Sequence, residues 1–288
     1  MEQSLDIYEY KQAEQDECLA FRNNIFTPVD AEQWVAMRCT AVTARDKNGL
    51  AGFIPLQFRE QLIRPGVSIP VVYENAVGVA EGRRGTGIGS KMMDAAADFI
   101  ADRADALMVV RSGERTQGYR FYRRTGHSDL NYALELLLPA DAPEPKDRGH
   151  EVIEVDRDDW LSAEDDLLRL HANQYSGFGG ARARGRGYWE MILDSHVFKS
   201  NGRKSLVSKK NGVVTGYLSG IFGTWQNKED LCVFELVADD EDAIESLLAV
   251  AKRLSQSGAI RFPLVSLANP IRPVLEKMNF AAGETTSH

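Results

Sequence analysis

The sequence predicts an α/β chain folded as two lobes, and three observations carry that prediction. A proline- and charge-rich break, Pro139-Ala140-Asp141-Ala142-Pro143-Glu144-Pro145-Lys146-Asp147, divides the 288 residues into halves of similar length. Within each half, short strand-like runs alternate with helical stretches. The order of segments after the break follows the order before it, with one Asn-Gly hairpin in each half. A chain of this length is long for one core and comfortable for two. Prolines lack amide donors and the charges are easily solvated, so the break reads as a linker. The expected divisions are 1–138, 139–150 and 151–288.

In the first lobe a strand is expected around Ile7-Tyr8, then a helical stretch through Cys18-Leu19-Phe21-Arg22. Thr40–Ala44 and Leu50–Ile54 flank Asn48-Gly49, a hairpin signal because both turn residues tolerate positive φ. Strands near Val67 to Val72 and Asn75 to Val79 follow. A glycine-rich turn leads into a helix with Met92, Ala96, Phe99 and Ile100 on one face. Leu107 to Val110 reads as a short buried strand, and Tyr119 to Arg124 as the last helix.

The second lobe repeats this order with little residue identity. Leu206–Ser208 and Tyr217-Leu218 flank Asn211-Gly212, Val233–Val237 precedes a helix from about Asp242 to Leu254, and Ile260 to Leu267 precedes a short helix, Pro270 to Met278. The pattern reads as a diverged tandem duplication.

Composition narrows the function. The formal charge of -8 argues against a nucleic-acid surface. It reads first as solubility and second as a preference for a cationic acceptor such as an amine. No apolar run approaches the roughly 20 residues that span a bilayer, and the opening residues carry no signal-peptide pattern. Three scattered cysteines fit reduced thiols in a cytoplasmic protein and no metal site.

Arg84-Gly85-Thr86-Gly87-Ile88-Gly89 lies between a strand and a helix. Such a turn gathers unpaired backbone N–H groups at the positive end of a helix and makes an anion site. Glycine permits positive φ and lets a pyrophosphate approach without meeting a Cβ. Arg83 and Arg84 add charge. A Walker loop needs Gly-Lys-Ser/Thr, which Gly89-Ser90-Lys91 does not supply, and the dinucleotide fingerprint lacks its third glycine. A plain turn with incidental glycines is the lesser reading.

The stretch Val77 to Gly89 resembles motif A of the GNAT acetyltransferase superfamily, with Arg84, Gly87 and Gly89 on its R/Q-x-x-G-x-G/A core. Gly118-Tyr119-Arg120-Phe121-Tyr122-Arg123-Arg124-Thr125-Gly126-His127 resembles motif B. Departures are Gly118 for alanine, His127 for phenylalanine and Glu81 where proline is common. The two-lobe plan is similar to tandem GNAT proteins and to the first two domains of Eis-type acetyltransferases, whose further domain 288 residues leave no room for. The resemblance implies tandem lobes, each a mixed, mostly antiparallel sheet flanked by helices. It also implies acetyl-CoA as cosubstrate, held by Val77, Val79, Arg84, Gly85, Thr86, Gly87, Gly89 and Ser90. In the second lobe, Asp239-Asp240-Glu241-Asp242 replaces the glycine loop and Leu275 stands for Tyr122, so that lobe is expected to bind no cofactor.

The expected reaction is direct transfer of acetyl to a small-molecule or peptide amine, with no nucleic acid or membrane partner and homo-oligomerisation left open. Tyr122 is the implied proton donor to the leaving thiolate, and packing beside Phe121 is its other reading. Glu74 is the candidate base, weighed evenly against a solvated strand-end acid. Strand alternation groups Glu74 with Ala76 and Gly78, opposite Asn75, Val77 and Val79. Gly177 to Gly187, rich in glycine and arginine, reads first as a surface loop and second as an anion-binding or acceptor-closing segment. His171, Trp189 and Trp225 read as packed residues. A non-catalytic acyl-CoA sensor is the alternative function.

Overall fold

A computed structural model of the chain describes residues 5–26, 28–75, 77–109, 116–194, 203–222 and 230–287. The first part contains β1 (Asp6–Glu9), α1 (Gln15–Asn23), α2 (Ala31–Ala36), β2 (Thr40–Asp46), β3 (Gly49–Arg64), β4 (Val67–Glu74) and β5 (Gly78–Val79). α3 (Ile88–Ile100), β6 (Ala106–Val109) and α4 (Gln117–Arg124) follow. The sheet runs β1-β2-β3-β4-β6, with β5 on β3, and only β4 and β6 pair in parallel. Alternation along the strands gives the sheet two buried faces. Ile54, Leu56 and Val72 meet Ile88, Met92 and Ala96 of α3, while Ala41 and Phe53 meet Leu19 and Trp34 of α1 and α2.

The second part contains β7 (Tyr132–Leu138), β8 (Glu151–Val155), α5 (Arg157–Ser162), α6 (Glu164–Tyr175), α7 (Tyr188–Asp194), β9 (Arg203–Lys210) and β10 (Val213–Ile221). It continues with β11 (Leu231–Ala238), α8 (Glu241–Leu254), β12 (Ile260–Ser266), α9 (Arg272–Lys277) and β13 (Ala281–Ser287). Its sheet runs β13-β7-β12-β11-β10-β9-β8. The run β8-β9-β10-β11-β12 repeats β1-β2-β3-β4-β6, and the parallel pair β11–β12 stands where β4–β6 does. α8 covers one face, and Trp160, Leu167 and Trp189 of α5 to α7 pack on the other. Trp225 lies outside the described residues. The predicted fold class, two α/β lobes with mixed, mostly antiparallel sheets, is the one observed.

Three details depart from the sequence reading. The two Asn-Gly turns differ: Asn211 and Gly212 both take positive φ (53° and 79°), whereas in the first hairpin Gly49 alone does, at 115°. There Asn48 anchors its amide on Asp46 Oδ1 at 2.7 Å and Gly49 pairs with Asp46, while the register shifts further along, between Leu50 opposite Arg45 and Gly52 opposite Ala44. Next, β7 precedes the break at 139 yet is hydrogen-bonded between β12 and β13 of the second sheet. Residues 139–150 then lie along α8, where Lys252 donates to the carbonyls of Pro139 (3.0 Å) and Ala140 (3.1 Å) and Arg253 pairs with Glu144 at 2.6 Å.

The third departure is the glycine- and arginine-rich segment, which is docked on β3 rather than a free surface loop. β2 ends opposite Leu56, leaving one edge of β3 open beyond it. Residues 180–183 fill that edge: Gly180 donates to Leu62 (2.6 Å), Leu62 to Ala181 (2.8 Å) and Ala183 to Glu60 (2.9 Å). Gly179 is required there, because a Cβ would sit 2.4 Å from the Ile63 carbonyl oxygen. The segment joins the lobes.

Candidate active site

Among the described residues, β4 and β6 pair as far as Glu74 and Val109. β5 continues along β3, and no described strand pairs with its other edge. Pairing with β3 slips by one residue between Glu74, opposite Leu56, and Gly78, opposite Phe53. A bulge of this kind inverts the alternation beyond it. The regular alternation expected for this strand is thereby corrected. Glu74 shares the α3 and α4 face with Val77 and Val79, and Gly78 turns toward α1. A Cβ on Gly78 would lie 3.2 Å from Ile25 and 3.3 Å from Phe26. The Ala80 amide bonds Ala51 at 3.0 Å. Strand amides alternate sides, so that of Val79 points to the open edge.

The turn after β5 fits an anion. Gly85 and Gly87 have φ of 79° and 86°, and Gly87 begins α3 with no side chain capping its first amides. Gly89 is different. It is helical, and a Cβ would meet the Phe121 ring at 3.1 Å, so its role is to let α3 approach α4. Thr86 braces the loop through a 2.7 Å bond to the Arg83 carbonyl. Arg83 is committed to Asp46 at 2.8 Å. Arg84 reaches the Val79 carbonyl at 3.3 Å and has no carboxylate at ion-pair distance among the described residues. Val77, Val79, Arg84, Gly85, Gly87, Gly89 and Ser90 line a cleft of about 520 Å³, whereas Thr86 does not. Arg124 and Gln117 of α4 line it too. Sequence reasoning missed both, although the charge of Arg124 beside Tyr122 was a usable signal.

Tyr122, the implied proton donor, and Glu74, the candidate base, are joined by a hydrogen bond. The Tyr122 hydroxyl donates to Glu74 Oε1 at 2.5 Å, and both side chains are buried. Phe121 and His127 hold the ring edge-on, with centroids 5.1 and 5.2 Å away. Tyr122 lines the cleft and also a second cavity of about 450 Å³ between the lobes. Glu74 lines neither and meets them through the phenol.

The second lobe has filled each equivalent place with its own side chains. Asp240 caps α8, accepting from the Ala243 amide at 2.7 Å, so a carboxylate holds the position of an incoming phosphate. Gln174 occupies the open edge of β11: it donates to the Leu236 carbonyl (3.3 Å) and accepts from the Ala238 amide (3.0 Å). The carbonyl of Leu275 accepts from the amides of Met278 and Phe280, as that of Tyr122 does from Thr125 and His127. Left-handed Asn279 and Gly126 complete the two matching turns. Leu275 thus stands in the place of Tyr122 without a hydroxyl.

Among the described residues no cluster suits a metal ion and no helix is long and apolar enough to cross a membrane. The cysteines are free, and burial pushes the Cys18 and Cys39 thiols up to about 12.

A parallel strand pair beside a glycine turn, a helix start open to phosphate, and a tyrosine on the next helix fit an N-acyltransferase fold. The acetyltransferase (GNAT) family matches residues 7–127. That match lies within the first lobe, and the chain as a whole has the tandem GNAT fold. A GCN5-related N-acetyltransferase from Anabaena variabilis superposes with a TM-score of 0.76 at 15% identity, over 99% of this chain and 71% of that one. Eis1 from Mycobacterium abscessus gives 0.64 at 15%, over 99% and 72%. A tandem GNAT protein from the clavulanic acid biosynthesis pathway gives 0.58 at 16%, over 99% and 97%. At these identities the likeness is one of fold. No curated protein sequence matches the chain.

Proposed function

We propose that this protein is an acetyl-CoA-dependent N-acetyltransferase with one active site, in the first lobe, acting by direct transfer to a primary amine. The observation that carries this reading is the Tyr122–Glu74 hydrogen bond at the junction of two cavities. The cleft takes the pyrophosphate at the start of α3, with Arg84 and Arg124 beside it, and the thioester along the open edge of β5. The amine arrives through the cavity between the lobes. Three free thiols suit the cytoplasm, where they stay reduced.

The amine nitrogen attacks the thioester carbon, and the Val79 amide stabilises the oxyanion. The adduct then loses a proton from nitrogen, the C–S bond breaks and the sulfur is protonated. A lone tyrosine with a pKa of about 10 gives its proton to a thiolate of about 8.5 uphill by ~2 kcal/mol. Glu74 alters that balance. As the Tyr122 oxygen accepts the proton from nitrogen, its own proton passes to Glu74. As the C–S bond breaks, Tyr122 protonates sulfur and recovers a proton from Glu74. The proton lost by the amine ends on the thiol, and the pair returns to its starting state.

The test combines calorimetry of acetyl-CoA binding with thiol release across a panel of amines. One site per chain and release that depends on an amine are expected. Two sites would show the second lobe to be functional. Binding without release to any amine would make the protein an acyl-CoA sensor.

A further inference from the structure

The walls of the cavity between the lobes are largely apolar, through Leu107, Met108, Leu130 and Leu264. Three guanidinium groups interrupt them: Arg123 from α4, which faces Asp129, and two others, Arg59 from β3 and Arg182 from the segment docked on β3. The charged and polar groups acting most strongly on Arg59 are Arg182, Tyr73 and Tyr188; those on Arg182 are Tyr188, Arg184, Cys39 and Arg38. No carboxylate stands at ion-pair distance from either among the described residues. The cavity's own carboxylate, Asp129, is taken up by Tyr119 (2.9 Å), Tyr132 (3.2 Å) and Arg123 (4.0 Å).

Arg59 lies over the ring of Tyr73, 3.9 Å from its centroid, and Arg182 over Tyr188 at 5.0 Å. A stacked guanidinium keeps its N–H groups in its own plane, where a carboxylate can meet them edge-on. Burial and the neighbouring Arg182 pull Arg59 down to about 10, and burial lowers Arg182 as well. Two like charges held together and partly out of water destabilise the fold. An anion in the cavity would offset that cost. The neighbouring Arg184 shows the alternative, since it is paired with Glu235 at 2.5 Å and Tyr217 at 3.1 Å.

We propose that the acetyl acceptor carries a carboxylate beside its amine, as amino acids and short peptides do, and that Arg59 and Arg182 hold that carboxylate. The identity of the reaction rests on the acetyltransferase reading; the anion site does not. Tyr122 lines the same cavity, so an acceptor held by its carboxylate at the arginines presents its amine toward the cofactor cleft. The volume of about 450 Å³ suits a small ligand with an apolar side chain. The overall charge of -8 reads first as solubility and only second as a preference for a cationic acceptor. Fields from exposed charges fade within roughly 8–10 Å, so the two arginines decide inside the cavity.

The full-length chain is tested with amino acids and dipeptides, each against its carboxamide, in thiol release from acetyl-CoA. Calorimetry with N-acetyl-leucine and N-acetyl-leucinamide reads the anion site without catalysis. Free carboxylates should be favoured by about tenfold or more, the size of a lost charge-assisted hydrogen bond. Arg59→Gln and Arg182→Gln should each erase most of that preference and leave acetyl-CoA affinity unchanged. Carboxamides used as well as the acids by the wild-type chain, or variants that keep the preference, would overturn the proposal. If no amine releases thiol, yet N-acetyl-leucine binds better than its amide only with both arginines present, the anion site stands and the acetyltransferase reading falls. If acids and amides behave alike in both assays, the anion site falls even where acetyl transfer is observed.

Discussion

A phenol has one proton, and that of Tyr122 is directed at Glu74. Substituting each partner separates their roles. Tyr122→Phe keeps the ring against Phe121 and His127 and removes only the hydroxyl. We expect kcat to fall by about 10²–10⁴-fold, with acetyl-CoA affinity nearly unchanged. Glu74→Gln still accepts the hydrogen bond but takes up no proton, so a loss of similar size follows if the carboxylate shares in the transfer. Full rate in Glu74→Gln beside an inactive Tyr122→Phe would reduce Glu74 to orienting the phenol. A loss below about threefold in Tyr122→Phe would return Tyr122 to packing, since general acid catalysis is worth far more.

The glycine turn acts as a unit with α3. Gly87 sits at φ 86° with open space where a Cβ would be, so a side chain there meets backbone strain and no clash. That strain is about 1–2 kcal/mol, which a packed lobe tolerates. Gly87→Glu should therefore remain folded by circular dichroism while its carboxylate, at the start of α3, abolishes acetyl-CoA binding in calorimetry. Wild-type affinity in a folded variant would remove the loop from the cofactor site. This turn was legible in the sequence because its chemistry is local: glycines, arginines and the following helix are consecutive. The bulge before it was not. One inserted residue in a strand leaves no mark on composition, yet it decides which face Glu74 takes. The destination of β7 was hidden for a related reason. Its buried Leu134, Leu136 and Leu138 suit either sheet, and strand pairing is a tertiary choice. Arg59 and Arg182 come from opposite halves of the chain, so only the docked segment brings them to one cavity.

Acid sensitivity belongs to the whole molecule. His171 on α6 is buried against Tyr175, with ring centroids 4.7 Å apart. Burial, and then Arg184, lower its pKa from 6.5 to about 3. The folded histidine stays neutral while the unfolded one takes up its proton near 6.5, so unfolding binds a proton below that pH. Stability falls as the pH drops through this window, by about 1.4 kcal/mol per unit, and the loss is complete near 3. Between pH 7 and 5 the wild-type chain should lose about 2 kcal/mol that His171→Gln retains, as measured by urea unfolding at both values. Equal losses would mean that His171 is protonated in the folded state.

When a chain is duplicated and one copy loses its chemistry, deletion of the idle copy is the simplest later change, unless the working copy has come to depend on it. Here the short turn after α4 sends the chain of the first lobe straight into the second sheet as β7, so the proposed working half is tied to the other. Removing the second half would strip both flanking strands from β7. It would also take away Leu264 and Arg182, and with them one wall of the cavity beside Tyr122. The duplication is in this sense a ratchet. Selection remains free to rewrite the second half, as Asp240, Gln174 and Leu275 record, but a single-lobe descendant is out of reach by truncation alone.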